Sequence, residues 1–105
     1  MPPALYSRAQ LDAIKRETDL VAVVREHGIA LRRRGRSYFG LCPFHREQTA
    51  SFAVSREAGL FHCFGCGAGG DVIRFIERTA HVSFPEAVRP LARRAGVVLT
   101  DGDRT

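Results

Sequence analysis

The sequence predicts an α+β fold in which a small antiparallel sheet of about four strands is flanked by N- and C-terminal helices. Three observations predict it. Apolar residues recur at helical spacing behind capping residues near both ends of the chain, short β-compatible stretches fill the middle, and two pairs of Cys and His residues lie among those stretches.

The elements follow in order. Ser7 caps a first helix with Leu11, Ile14 and Thr18 on one face, while Arg8, Asp12, Lys15 and Arg16 face water. Asp19 caps a second, which turns Leu20, Val23 and Val24 inward and stops at Gly28, a residue suited to a left-handed terminator. Ile29 to Arg33 and Arg36 to Leu41 then form a hairpin around Arg34 and Gly35. Ser51 to Ser55 alternates Phe52 and Val54 against small neighbours, and after a turn at Gly59 the stretch Leu60 to Cys63 completes a second hairpin. Asp71 caps a third helix with Val72, Ile73, Phe75 and Ile76 as its apolar stripe. Ser83-Phe84-Pro85-Glu86 has the pattern of a capping box, so residues 84–95 make a fourth helix that buries Val88, Leu91, Ala92 and Ala95 and ends at Gly96.

Composition bounds what such a chain can be. Its 105 residues suit one domain, expected over residues 1–100 with a frayed polar tail at 101–105, and leave no room for a two-domain enzyme. With 45% hydrophobic and 26% charged residues it is globular in character. The run Leu20 to Val24 is far shorter than the ~20 residues of a membrane-spanning helix, and no charged-then-apolar leader opens the sequence. A cytoplasmic protein with no membrane partner is the expectation. The net charge of +5 is concentrated in residues 25–70, which hold seven basic against three acidic residues. Fifteen of the sixteen basic residues are arginine, whose planar fork pairs bidentately with phosphate. Polyanions are therefore favoured partners.

Three cysteines suit a metal site completed by a histidine better than a disulfide framework. Cys42-Pro-Phe-His45 and Cys63-Phe-Gly-Cys66 are two pairs with two-residue spacers, separated by 17 residues that form the intervening hairpin. A tight turn at each pair aims both side chains at one ion, and Gly65 and Gly67 permit the backbone such a turn needs. Three thiolates and one imidazole fill a tetrahedral shell around one Zn²⁺, so the metal is expected to be structural, with no catalysis from this chain alone. His62 belongs to no spaced pair, and strand alternation points it away from the metal. His27 near a helix end and His81 in a loop are read as ordinary residues.

The runs Tyr38-Phe39-Gly40-Leu41-Cys42-Pro43-Phe44-His45 and Phe61-His62-Cys63-Phe64-Gly65-Cys66-Gly67-Ala68-Gly69-Gly70 resemble the N-terminal zinc-binding domain of bacterial DnaG-type primases. The likeness extends from the helix start at Thr18-Asp19-Leu20-Val21 through the Arg-rich hairpin to the last helices. It implies a zinc ribbon that engages single-stranded template and helps select the initiation site. A separate polymerase domain, in cis or in trans, would make the RNA primer, and a replicative helicase would be met through other domains. The sequence supplies suitable parts in arginines for phosphates and aromatics for bases. Arg32, Arg33, Arg36, Tyr38 and Arg46 are the candidate nucleic-acid contacts, while most of the phenylalanines are expected in the core. The chain departs from the family at Gln48 and Ala50, where lysine and proline are common, so one basic contact is missing there. The alternative reading is a zinc-ribbon interaction module that docks a replication or mobile-element partner.

Overall fold

A computed structural model describes residues 6–44 and 50–99. The element order is α1 (Arg8–Glu17), α2 (Leu20–Glu26), β1 (Arg32–Arg34), β2 (Ser37–Gly40), β3 (Phe52–Ser55), β4 (Leu60–Cys63), β5 (Gly69–Gly70), α3 (Val72–Ala80) and α4 (Phe84–Ala95). The strands lie in sequence order in one antiparallel sheet, which is the expected α+β architecture with one strand more than expected.

The helices begin where their capping residues placed them. Ser7 and Gln10 form a reciprocal capping box on α1, and Ser83 and Glu86 form another on α4. Asp19 and Asp71 each accept a backbone N–H in the first turn of α2 and α3. Gly96 ends α4 at φ +74°, while α3 ends at His81, which takes the left-handed conformation at φ +57° without being a glycine.

The hairpins differ from expectation in detail. Register pairs Arg34 with Ser37, so the turn is Gly35-Arg36, one residue later than predicted. Gly35 carries a positive φ of +66° at the first central position, as a type II′ turn requires. β1 starts at Arg32 rather than Ile29, and the Leu31 carbonyl just before it accepts from the Arg25 guanidinium at 3.1 Å. β5 consists of two glycines and carries no alternation that a sequence reading can detect. Its pairing with Phe61 and His62 is imposed by the sharp return of the chain from the cysteine turn.

The core lies on one face of the sheet, beneath the helices. Phe44, Phe52, Phe61 and Phe75 form an aromatic cluster with ring centroids 5.5–6.4 Å apart, bringing together β3, β4, α3 and the first cysteine turn. Ile14, Leu20, Val21, Val24, Val54 and Val88 close the core around it. Ala95, expected inside, is only half-buried at the end of α4. No described helix is long and apolar enough to cross a membrane.

Candidate metal centre and nucleic-acid face

The end of β4 carries Cys63 into the buried side of the sheet, and the turn that follows returns Cys66 towards it. Within this turn Gly67 N–H donates to the Cys63 carbonyl at 2.8 Å and Cys63 N–H donates to the Ala68 carbonyl at 2.7 Å. Gly67 adopts φ +82°, the left-handed backbone expected of it, whereas Gly65 takes no positive φ. Cys42, just beyond β2, completes a group whose three sulfurs all lie within 4.8 Å of one another. Cys42 Sγ and Cys66 Sγ are 3.9 Å apart, close to the ~3.8 Å edge of a tetrahedron built with Zn–S bonds of about 2.3 Å. His45 and Arg46 lie outside the described residues.

The donor set suits a cation. Phe44 N–H donates to Cys42 Sγ and Gly65 N–H donates to Cys63 Sγ, both at 3.3 Å, so each turn stabilises electron-rich sulfur. Without a cation the Cys42 thiol resists ionisation: burial pushes it up to about 12, opposed by the Phe44 N–H and reinforced by the neighbouring Cys63 and Cys66 sulfurs. A divalent metal reverses this preference and holds all three as thiolates. The residues present thus fit a structural zinc, which when bound cross-links the two turns.

The candidate nucleic-acid residues divide between two faces of the sheet. Paired residues share a face, so Arg32, Phe39, Ala53 and His62 form one row across β1 to β4 on the side away from the helices. Arg34, Ser37, Ser55 and Leu60 form the next row on the same open face. Phe64 projects beside it, 69% exposed, with its ring edge-on to His62 at 4.7 Å. The Arg34 guanidinium lies 5.6 Å from the Phe39 ring centroid. His62 points away from the sulfurs, as alternation predicted.

Arg33 and Tyr38 face the other way. Tyr38, expected as a contact for bases, is only 8% exposed, with guanidiniums of Arg25 and Arg56 at 5.4 and 5.0 Å from its ring centroid and its hydroxyl accepting from Arg56 at 2.9 Å. Its ring is a packing element between arginines and leaves no face for a base. The sequence analysis put Arg34 in the hairpin turn, expected most phenylalanines in the core and turned His62 away from the metal, whereas the register brings Arg34, Phe39 and His62 to the open face with Phe64 beside it. The signal that finds them is the hairpin register combined with alternation, which together assign every residue to a face.

The pattern of the CHC2 zinc finger matches residues 6–105. The chain belongs to the CHC2 zinc-finger family. It is similar to DNA primases, being 51% identical over 90 residues to that of Geobacillus stearothermophilus, a match that covers 86% of this chain and 15% of the relative. With the primase of Thermotoga maritima it is 46% identical over 96 residues, covering 91% of the chain and 17% of the relative. The crystal structure of the Aquifex aeolicus primase, comprising zinc-binding and RNA polymerase domains, superposes with a TM-score of 0.80 at 41% identity, covering 91% of this chain and 23% of that one. This CHC2 finger therefore spans about a sixth of the length of the curated primases it matches, and corresponds to their zinc-binding module.

Proposed function

We propose that this CHC2 finger is the template-engaging module of a DnaG-type priming machinery, binding single-stranded DNA across the open face of the sheet beside an RNA polymerase domain supplied in cis or in trans. The observation that carries the reading is the open face itself. Phe39, His62 and Phe64 offer rings for stacking, and Arg32 and Arg34 border them with charge for phosphates. Of the contacts expected from the sequence, Arg32 belongs to this face, whereas Arg33, Tyr38 and the turn residue Arg36 line a cavity on the other side of β1 and β2.

In this reading Cys42, His45, Cys63 and Cys66 hold one structural zinc, and the metal fixes the β4 end from which His62 and Phe64 project. Arg46, next to the proposed ligand His45, adds a further cation. Primer initiation at the template in a cytoplasmic replication complex is the role that follows, and a replicative helicase would be reached through other parts of that complex.

Fluorescence anisotropy of the zinc-loaded chain with short single-stranded DNA at two salt concentrations tests the reading. Binding that weakens with salt and is lost on chelation is expected. Absence of binding even at low salt would favour the docking alternative, for which Phe84 and Val98, exposed near the two ends of α4, are candidate apolar contacts.

A further inference from the structure

On the opposite side of β1 and β2 from the open face, Arg33, Arg36, Tyr38, Arg56 and Glu57 line a cavity of about 180 Å³. Arg33, Arg56 and Tyr38 are held in place. Arg33 Nε donates to the Gly35 carbonyl at 3.1 Å, and Arg56 donates to Asp19 at 3.1 Å and to the Tyr38 hydroxyl at 2.9 Å while stacking on the Tyr38 ring. Arg25 lies against the same ring and donates to the Leu31 carbonyl. The Tyr38 hydroxyl accepts from Arg56 and keeps its own proton for an acceptor in the cavity.

Charge and size together select the ligand. The guanidiniums of Arg25, Arg33, Arg36 and Arg56 outnumber the carboxylates of Asp19 and Glu57 by two. A phosphodiester inside a strand carries one negative charge, whereas a terminal phosphate carries about −1.5 to −2 at neutral pH. The cavity is smaller than the roughly 300 Å³ at which pockets begin to enclose whole drug-sized molecules, so it suits a phosphate group without its base. We propose that this cavity binds the terminal phosphate or pyrophosphate group of a nucleotide, presented by a free nucleoside triphosphate or by the 5′ end of a strand, and is separate from the open-face site. Arg33 and Arg36 supply bidentate donors, and the fixed Arg56–Tyr38 pair forms the floor.

The test titrates the zinc-loaded chain with inorganic pyrophosphate and, separately, with a 5′-hydroxyl single-stranded oligonucleotide, comparing Arg33→Ala/Arg36→Ala with Arg32→Ala/Arg34→Ala. All four arginines are exposed, so both double variants are expected to fold, and zinc content is verified after each titration. Loss of two charge-assisted contacts should weaken pyrophosphate binding on the order of 10- to 100-fold in the first variant and leave it unchanged in the second. The 5′-hydroxyl oligonucleotide should show the reverse. Comparison of ATP with a 5′-phosphorylated oligonucleotide then identifies the source, according to which gains more from intact Arg33 and Arg36. No pyrophosphate binding, equal loss in both variants, or pyrophosphate binding without either nucleotide source bound through this pair would overturn the proposal. So would equal weakening of pyrophosphate and the 5′-hydroxyl oligonucleotide by Arg33→Ala/Arg36→Ala, since the cavity would then be part of the strand's path. If the oligonucleotide fails to bind while pyrophosphate binds through Arg33 and Arg36, the open-face reading fails and this one stands.

Discussion

Arg32 and Arg33 are adjacent in the chain yet stand on opposite faces of the sheet, Arg32 across from Phe39 and Arg33 across from Tyr38. The pleat alone produces this separation, and it divides the arginine cluster into two surfaces with different neighbours. Phe39 leaves its face open to ligands, whereas Tyr38 is enclosed by Arg25 and Arg56.

Phe64→Ala is expected to weaken single-stranded DNA binding by about 1–3 kcal/mol, the worth of one stacked base, while changing stability by less than about 0.5 kcal/mol. The side chain is 69% exposed and can leave little cavity behind. Anisotropy and urea unfolding on the same preparation separate the two effects. A stability loss as large as the binding loss would assign Phe64 to packing.

Cys63→Ser is expected to lose metal and cooperative unfolding together. Cys63 is fully buried between the aromatic cluster and the other two sulfurs, and a structural zinc contributes on the order of 10 kcal/mol in zinc-finger peptides, comparable to the whole stability of a small domain. Metal analysis with a near-ultraviolet thermal scan is the measurement. A cooperative transition at the parent temperature in the metal-free variant would show that the core folds without its cross-link.

Gly40→Ala tests how closely β2 approaches the chain entering β1. A Cβ on Gly40 would meet the Ala30 carbonyl oxygen and stand 3.0 Å from Leu31 Cδ2. Overpacking of this kind costs about 1–3 kcal/mol, and here part of the clash is with backbone, which yields less than a side chain. Urea unfolding at constant zinc reads the loss directly.

Glu26 and Arg94 join α2 to α4 through paired bonds of 2.6 and 2.7 Å. The Arg94 hydrogen bond holds the Glu26 carboxyl below the usual range. Because the folded-state value is lowered, this pair adds stability above the unfolded carboxylate's pKa of about 4.3 and loses it as pH falls through the lowered value. A double-mutant cycle with Glu26→Gln and Arg94→Gln should therefore show favourable coupling at pH 7 that shrinks in 1 M salt as the exposed pair is screened. Coupling indifferent to salt would contradict an electrostatic origin.

Local chemistry made much of this protein legible before any coordinates. Ser7, Asp19, Asp71 and Ser83 start the helices because a side-chain oxygen satisfies a backbone N–H within three residues, an interaction that needs no distant partner. The gathering of Cys42, Cys63 and Cys66 was equally readable, since a two-residue spacer such as that of Cys63 and Cys66 is itself the geometry of a metal-binding turn. β5 was not, because two glycines carry no pattern and are held only by β4.

The sequence by itself determined the helix starts, the alternating strands, the metal-binding turns and the basic character of the central segment, all of which depend on contacts a few residues apart. Tertiary structure alone decided the face on which each strand arginine and aromatic stands. Tyr38 is buried with Arg25 and Arg56 against its ring, while Phe39, His62 and Phe64 are brought to one face by the pairing of β2, β3 and β4. Face and enclosure depend on cross-strand register and on helices distant in sequence, and a one-residue change of register would exchange the two faces.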